Sequence, residues 1–427
     1  MPFDLSYFSG IIPSAQLAAL LLVATLVTLV AALAIIANRR PLSRLLRDRD
    51  DAGAVQCSHV GDPLRLGGIA IFAGLLAGVL VGSWQDSALP PLLVASAAPA
   101  VLAGLVEDLG HPVSPRKRLA AAFVSAVVAA LVLGAWVSRA DLPGLDRVMA
   151  VAPIGFLLTL LLSAGFCHAT NLVDGMNGLA AVVITAAAGG LALLARDAGQ
   201  GDLAVMAAVL AAAMVGFFLL NWPFGTIFMG DAGSYGVGHV LIWIAFLLCD
   251  RAPEVAVPAL LLVLFWPFAD TLHSIGRRLA VGAPVFAPDR MHLHQKIRRC
   301  IEIALLGGAH RKRSNPMATV VMAPMIVAPV ITGVALAQNV RGAWIALAVF
   351  ALLFSITHVA ITRLAITRRR RGPVRVPDAP QQVEYSPLSY SFSEHGREVR
   401  VTIHRREGED CWRLTVAEGD SRPVEWS

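Results

Sequence analysis

Apolar runs close to the ~20 residues needed to cross the hydrocarbon core of a bilayer recur along most of this chain, and nothing else narrows its folding options so far. They predict helices near 15–38, 66–84, 91–106, 119–137, 149–167, 179–195, 203–220, 234–249, 254–275, 317–338 and 342–366, about eleven spans. Composition agrees: 56% hydrophobic residues, 15% charged residues and a mean hydropathy of +0.67 exclude an ordinary soluble globular protein. The first run, Ser14 to Asn38, lacks a basic flank before it and exceeds the apolar core of a signal peptide, so it reads as a retained span.

Positive charge in the short loops orients the chain. One side collects Arg39, Arg40, Arg44, Arg47, Arg49 and Arg65, then Arg116 to Arg118, Arg277, Arg278, Lys296, Arg298, Arg299, Arg311 to Arg313 and the run Arg368–Arg371. The other has Arg139, Arg147, Arg196, Arg251 and Arg341. This asymmetry places the N-terminus outside and the C-terminus in the cytoplasm. The net charge of +6 is thus local, and no interleaved aromatic and basic surface of the nucleic-acid kind is present. Anionic membrane lipids and phosphorylated substrates are the expected partners. The five cysteines, at 57, 167, 249, 300 and 411, have no CxxC or framework spacing and are expected to be free thiols.

After the spans the composition changes. Residues 1–367 read as a polytopic membrane domain, 368–387 as a basic, proline-containing linker, and 388–427 as a small appendage. In that appendage Ser389–Ser393, Val399–His404 and Trp412–Val416 alternate in the manner of strands. The predicted fold class is therefore an all-α polytopic membrane protein with a small soluble β-rich C-terminal appendage.

Polar residues that a purely structural membrane protein would not need gather in loops on the cytoplasmic side. His59 to Gly68 ends in a glycine pair before a span, which either leaves backbone N–H groups free for an anion or lets helices pack closely. Glu107 and Asp108 close a span shortly before Arg116, Lys117 and Arg118; they are either a solvated helix end or carboxylates suited to a metal and a phosphate. Asn171, Asp174 and Asn177 share one face at a spacing of three if helical, offering oxygen ligands or hydrogen bonds; an Asx-rich turn is the plainer alternative. Asp231 stands among small residues in Phe228-Met-Gly-Asp-Ala-Gly-Ser234, where a carboxylate can approach a hard cation or simply cap a helix. Asp289-Arg290-Met-His292-Leu-His294-Gln295-Lys296 is either a basic patch for lipid headgroups or, since its histidines lack the i, i+4 spacing of a helical metal pair, a set of phosphate contacts.

Taken together, and in this order, these segments resemble the polyprenyl-phosphate N-acetylhexosamine-1-phosphate transferase family, nearest its undecaprenyl-phosphate N-acetylglucosamine-1-phosphate transferase branch. His59–Gly68 is similar to the family's HxGxxPxxGG, Asn171–Gly178 to NxxDGxxG, Phe228–Ser234 to FMGDxGS and Asp289–His294 to DRxHxHH. The chain departs from the pattern with Glu107 for Asp, Asn177 for Asp and Gln295 for His.

The resemblance implies transfer of N-acetylhexosamine-1-phosphate from a UDP-sugar to undecaprenyl phosphate, with UMP released, at a bacterial inner membrane. It implies Glu107, Asp108, Asp174 and Asp231 as catalytic residues and His59, Lys117, Asn171, Asn177, Arg290, His292 and His294 as substrate-binding residues. Asp231 and Asp174 would bind Mg²⁺, with Mn²⁺ as the alternative ion, and a homodimer would be consistent with the family. Rival readings are the phospho-N-acetylmuramoyl-pentapeptide transferase branch, a transporter or flippase, and a catalytically impaired scaffold.

Overall fold

The computed structural model describes residues 14–45, 64–86, 88–284, 289, 291–306 and 310–370, and the strands at 388–394, 397–405, 412–418 and 424–426. The chain divides into two compact units, Met1–Arg368 and Arg369–Ser427.

The first unit is helical. It begins with α1 (Ser14–Ala37), α2 (Arg39–Leu45), α3 (Gly67–Val81), α4 (Leu89–Ser96), α5 (Ala98–Asp108), α6 (Pro115–Leu133), α7 (Pro143–Met149) and α8 (Ala152–Val173). It continues with α9 (Leu179–Asp197), α10 (Gly201–Asn221), α11 (Gly230–Arg251), α12 (Val257–Val263), α13 (Phe265–Ala280), α14 (Leu293–Ala304), α15 (Arg311–Ala335) and α16 (Val340–Arg370).

The expected count of about eleven spans is corrected here. Among the described residues seven helices are long and apolar enough to cross a membrane, or up to nine if each of two bent pairs is one span. α3, at 15 residues, reaches only about 22 Å at 1.5 Å per residue, against a core of about 30 Å. α6 spends its first turn on Arg116, Lys117 and Arg118, which shortens its apolar run. The bent pairs are α4 with α5, at 41°, and α12 with α13, at 85°. Proline accounts for both breaks: Pro99 and Pro267 supply no N–H and crowd the carbonyl four residues earlier, so neither helix can run through.

α11 is the axis of the bundle. Its apolar window is buried along its whole length, and α3, α5, α8 and α9 pack around it. Small side chains make this possible, because association within a bilayer depends on close packing rather than on escape from water. A Cβ on Gly68 of α3 would lie 2.3 Å from the Gly233 nitrogen, and one on Gly104 of α5 would lie 2.4 Å from that of Ala232. Polar ties reinforce the packing: Trp243 Nε1 donates to Ser163 Oγ at 2.9 Å, and His239 Nε2 meets Ser96 Oγ at 2.9 Å. At the far end the Arg139 guanidinium donates to the carbonyls of Cys249, Ala252 and Val255, so the C-terminal carbonyls of α11 also have partners.

The second unit contributes β1 (Leu388–Glu394), β2 (Arg397–Arg405), β3 (Trp412–Glu418) and β4 (Val424–Trp426). They form one antiparallel ladder in sequence order, in register Tyr390 to Val401, Val401 to Val416 and Val416 to Val424. A ladder of backbone is all that the structure describes there. The expected fold class is corrected accordingly: the protein is all-α and polytopic, and the soluble β-rich appendage is not part of that class. α16 continues through Arg370, and the rest of the expected linker lies outside the described residues.

Gly104→Ala should lower the melting temperature of the detergent-solubilised protein by an amount corresponding to about 1–3 kcal/mol of overpacking. Gly165→Ala, whose added Cβ meets nothing within 4 Å, should leave it unchanged or slightly raised. Equal melting temperatures for the two variants would contradict close packing of α5 on α11.

Candidate active site at the N-terminus of the central helix

The first turn of a helix leaves N–H groups without intrahelical partners, and here that turn is buried. Two carboxylates supply the partners. Asp108 at the end of α5 accepts from the Asp231 N–H at 2.9 Å and the Ala232 N–H at 2.8 Å, one on each oxygen. Asp174, just past α8, accepts from the Gly230 N–H at 2.9 Å. Gly230 has a φ of 74°, and a Cβ there would lie 2.0 Å from the Arg65 carbonyl oxygen and 2.7 Å from Asp108 Oδ2. Only glycine suits that position.

With its backbone N–H capped, Asp231 keeps its side chain for other groups. The Arg118 guanidinium donates to Oδ2, and Asn171 Nδ2 donates to Oδ1 at 2.9 Å and to Ser234 Oγ at 2.8 Å. Three acids therefore surround one buried helix start, partly offset by Arg118 and Arg65. Burial pushes the Asp174 carboxyl well above the ordinary carboxylate range; the Gly230 N–H and Arg65 oppose this, while Asp108 and Asp231 add to it. Glu107 is turned to its own loop, accepting from the Val113 N–H.

A second polar group lies between α13 and α14. Asp270 Oδ2 meets His292 Nδ1 at 3.0 Å and His294 Nδ1 at 3.5 Å, and the two imidazoles stack with centroids 5.5 Å apart. Asp289 accepts from Ser274 Oγ at 2.6 Å, from the Met291 N–H at 2.9 Å and from Arg277. Burial alone would lower the His292 pKa, but the hydrogen bond and charge of Asp270, with Asp289, raise it above its ordinary value. For Asp289 burial works upward, yet Ser274, the Met291 N–H, His292 and Arg277 hold it below the usual range.

The structure thus brings together Asp108, Asn171, Asp174 and Asp231 as one group, and His292 and His294 as another. His59 and Arg290 lie outside the described residues. Lys117 is exposed; its neighbour Arg118 reaches Asp231. Arg118 is not among the site residues expected from the sequence; the signal that separates it from Lys117 is its alignment, one turn before Ala122, with the buried positions Ser125, Ala126 and Ala129 of α6. Asn177 turns its amide to the Pro223 carbonyl at 2.7 Å, while its N–H donates to Asn315 Oδ1 at 2.9 Å. An aspartate could not donate as that amide does, which gives the departure from the family pattern a packing reason. The N–H groups of Gly67 and Gly68 donate to the Phe228 and Met229 carbonyls, both at 2.8 Å, so the anion reading of this glycine pair gives way to the packing one.

A bundle whose acids, amides and guanidinium converge at helix ends, around one buried axis, defines a multi-pass membrane protein with a polar site at the edge of its apolar layer. Comparison with known proteins then gives the lineage. The sequence model described as "Glycosyl transferase family 4" matches residues 90–249. A decaprenyl-phosphate N-acetylglucosaminephosphotransferase from Mycobacterium leprae is 31% identical over 333 residues, 70% of this chain and 80% of that protein. An undecaprenyl-phosphate alpha-N-acetylglucosaminyl 1-phosphate transferase from Yersinia pestis is 30% identical over 56% of this chain and 67% of its own length. A probable undecaprenyl-phosphate N-acetylglucosaminyl 1-phosphate transferase from Bacillus subtilis is 27% identical over 55% and 65% respectively. The chain belongs to glycosyltransferase family 4, within its polyprenyl-phosphate N-acetylglucosamine-1-phosphate transferases.

The ionisation of His292 sets an expected pH response. Because its folded-state pKa is raised, its stabilising contribution is complete below about 6.5 and is lost as pH rises through the raised value. That of Asp289, whose pKa is lowered, is present above about 3.8 and is lost as pH falls through the lowered value. Hydrogen-exchange protection of residues 291–300, corrected for intrinsic exchange, should therefore fall as pH rises from about 6.5 through the raised pKa of His292, and this fall should be absent in His292→Asn. The same profile in both proteins would remove His292 as the cause.

Proposed function

We propose that this membrane transferase moves N-acetylglucosamine-1-phosphate, or a closely related N-acetylhexosamine-1-phosphate, from a UDP-sugar to undecaprenyl phosphate, releasing UMP and opening a pathway of cell-envelope glycan synthesis. The observation that carries the reading is the site around Asp231, built by the family's own motif residues Asp108, Asn171 and Asp174 and joined by Arg118. Such a site brings the phosphate of a membrane-held acceptor to a water-soluble donor, with the N-terminus outside and the polar loops in the cytoplasm of a bacterial inner membrane.

The residues fit Mg²⁺ by type, with Mn²⁺ as the alternative. Asp231, Asp174 and Asn171 offer hard oxygen atoms, and Mg²⁺ is usually held by one or two carboxylates with substrate phosphates and waters completing its shell. That no group of three His, Cys, Asp or Glu poised for a metal occurs among the described residues is compatible with such a site. When bound at Asp231 and Asp174, the ion would neutralise charge on the donor diphosphate.

The protein's own groups do the rest by positioning. Arg118 matches phosphate geometry and lies against Asp231, so it is placed to orient a phosphoryl oxygen. The acceptor needs little help to become a nucleophile, since the second pKa of a phosphate monoester is about 6. Both Asp108 oxygens are occupied by backbone N–H groups, which favours direct attack of the acceptor oxygen on the sugar-bound phosphorus over a phosphorylated Asp108. In that attack the new P–O bond forms as the bond to UMP breaks. His292 and His294, steadied by Asp270, would receive the donor's diphosphate.

Purified protein given Mg²⁺, undecaprenyl phosphate and a panel of UDP-N-acetylhexosamines should release UMP with at least one donor only when the lipid is present. Asp231→Ala should lower kcat by about 10² or more, as removal of a charge-stabilising group does. Folded protein that is silent with every donor would refute the assignment.

A further inference from the structure

The last span reaches into the loop that carries the histidines. Lys296, in the second turn of α14, places its ammonium 2.9 Å from His358 Nδ1 and 2.8 Å from Thr362 Oγ1. His358 and Thr362 are one turn apart on α16, and His358 is buried. The His358 ring lies 4.0 Å from that of His273 on α13, so the contact seats α16 beside the helix that carries Asp270.

Both partners of the ammonium are neutral when they accept from it, and among the described residues no carboxylate forms an ion pair with it. The nearby acids are engaged elsewhere, Asp270 with His292 and His294, and Asp289 with Arg277 and Ser274. Burial first, and then the Arg277 charge, hold the Lys296 amine below its ordinary pKa, while Asp289 opposes them. A partly desolvated cation held at a fixed place by neutral acceptors is costly unless an anion completes it.

We infer that Lys296 is a donor-binding residue whose ammonium meets the diphosphate of the nucleotide-sugar, and that His358 and Thr362 are positioning residues that hold it there. This rests on the reading that the Asp289–His294 segment receives the donor. It assigns a task to α16, which lies outside the residues 90–249 matched by the family's sequence model. Lysine suits the role as a compact charge on a flexible stem, since two of its three donors can be spent on α16 while the third points elsewhere.

The test uses the full-length protein in nanodiscs, with UMP release measured against UDP-N-acetylglucosamine and undecaprenyl phosphate varied separately, and UDP alone titrated for binding. Lys296→Gln should raise the donor KM and the UDP Kd by on the order of tenfold, as loss of a charge-assisted hydrogen bond does, and leave the acceptor KM within about twofold. Lys296→Arg should restore much of the affinity. His358→Phe and the milder Thr362→Val should shift the same two constants in wild-type protein, but neither should add a further shift in the Lys296→Gln background. Unchanged donor KM and UDP Kd in folded Lys296→Gln would overturn the inference while leaving the reaction intact. So would independent, multiplying effects of His358→Phe and Lys296→Gln. A wild-type protein that turns over no UDP-sugar would instead defeat the reading on which it rests.

Discussion

The structure depends on satisfying the buried first turn of α11. A helix that starts inside a protein exposes N–H groups that water cannot reach, and each one left unmade costs about 1–3 kcal/mol. Asp108 and Asp174 meet that demand from two different helices, which ties α5 and α8 to the head of α11. Three acids then lie together, so Arg118 and Arg65 become necessary, and these draw in α6 and the entry to α3. Capping, helix association and the concentration of charge at the site are thus one arrangement seen from different sides.

This arrangement also separates roles among residues of the same type. Asp108 turns both of its oxygens to backbone N–H groups, whereas Asp231 has its backbone cared for by Asp108 and presents its carboxylate to side chains. Glu107, next in sequence to Asp108, serves the 109–114 loop. Adjacent acids in one motif therefore serve a loop and a helix, and neither needs to touch the other.

Much of this was legible in the sequence, because polar residues at the edges of apolar runs have few structural reasons to be there. The grouping of Asn171, Asp174 and Asp231 follows from their motifs, and the roughly membrane-length runs gave the polytopic class. Other features depend on partners far away in sequence. The N–H groups of Gly67 and Gly68 looked available for an anion until Phe228 and Met229 supplied carbonyls to them. Lys117 and Arg118 are indistinguishable as charges, and only the face of α6 that packs inward separates them. The count of spans failed first at α3, which is too short, and at α6, whose first turn is charged; hydropathy is also blind to backbone direction at the proline breaks of α4 with α5 and α12 with α13. The hold of α16 on Lys296 could not be read at all, since His358 sits unremarked within an apolar run.

The clamp of Arg139 on the carbonyls of Cys249, Ala252 and Val255 has a consequence for how the protein can change over evolutionary time. With guanidinium at one end, carboxylates at the other and backbone contacts between, α11 has little room to pivot, and a substitution along it disturbs several helices at once. The α13–α14 group is joined mainly through side chains, which can be exchanged one at a time. On the proposed reading, descendants of such a chain that change donor would carry their changes there, around a central rod that stays as it was.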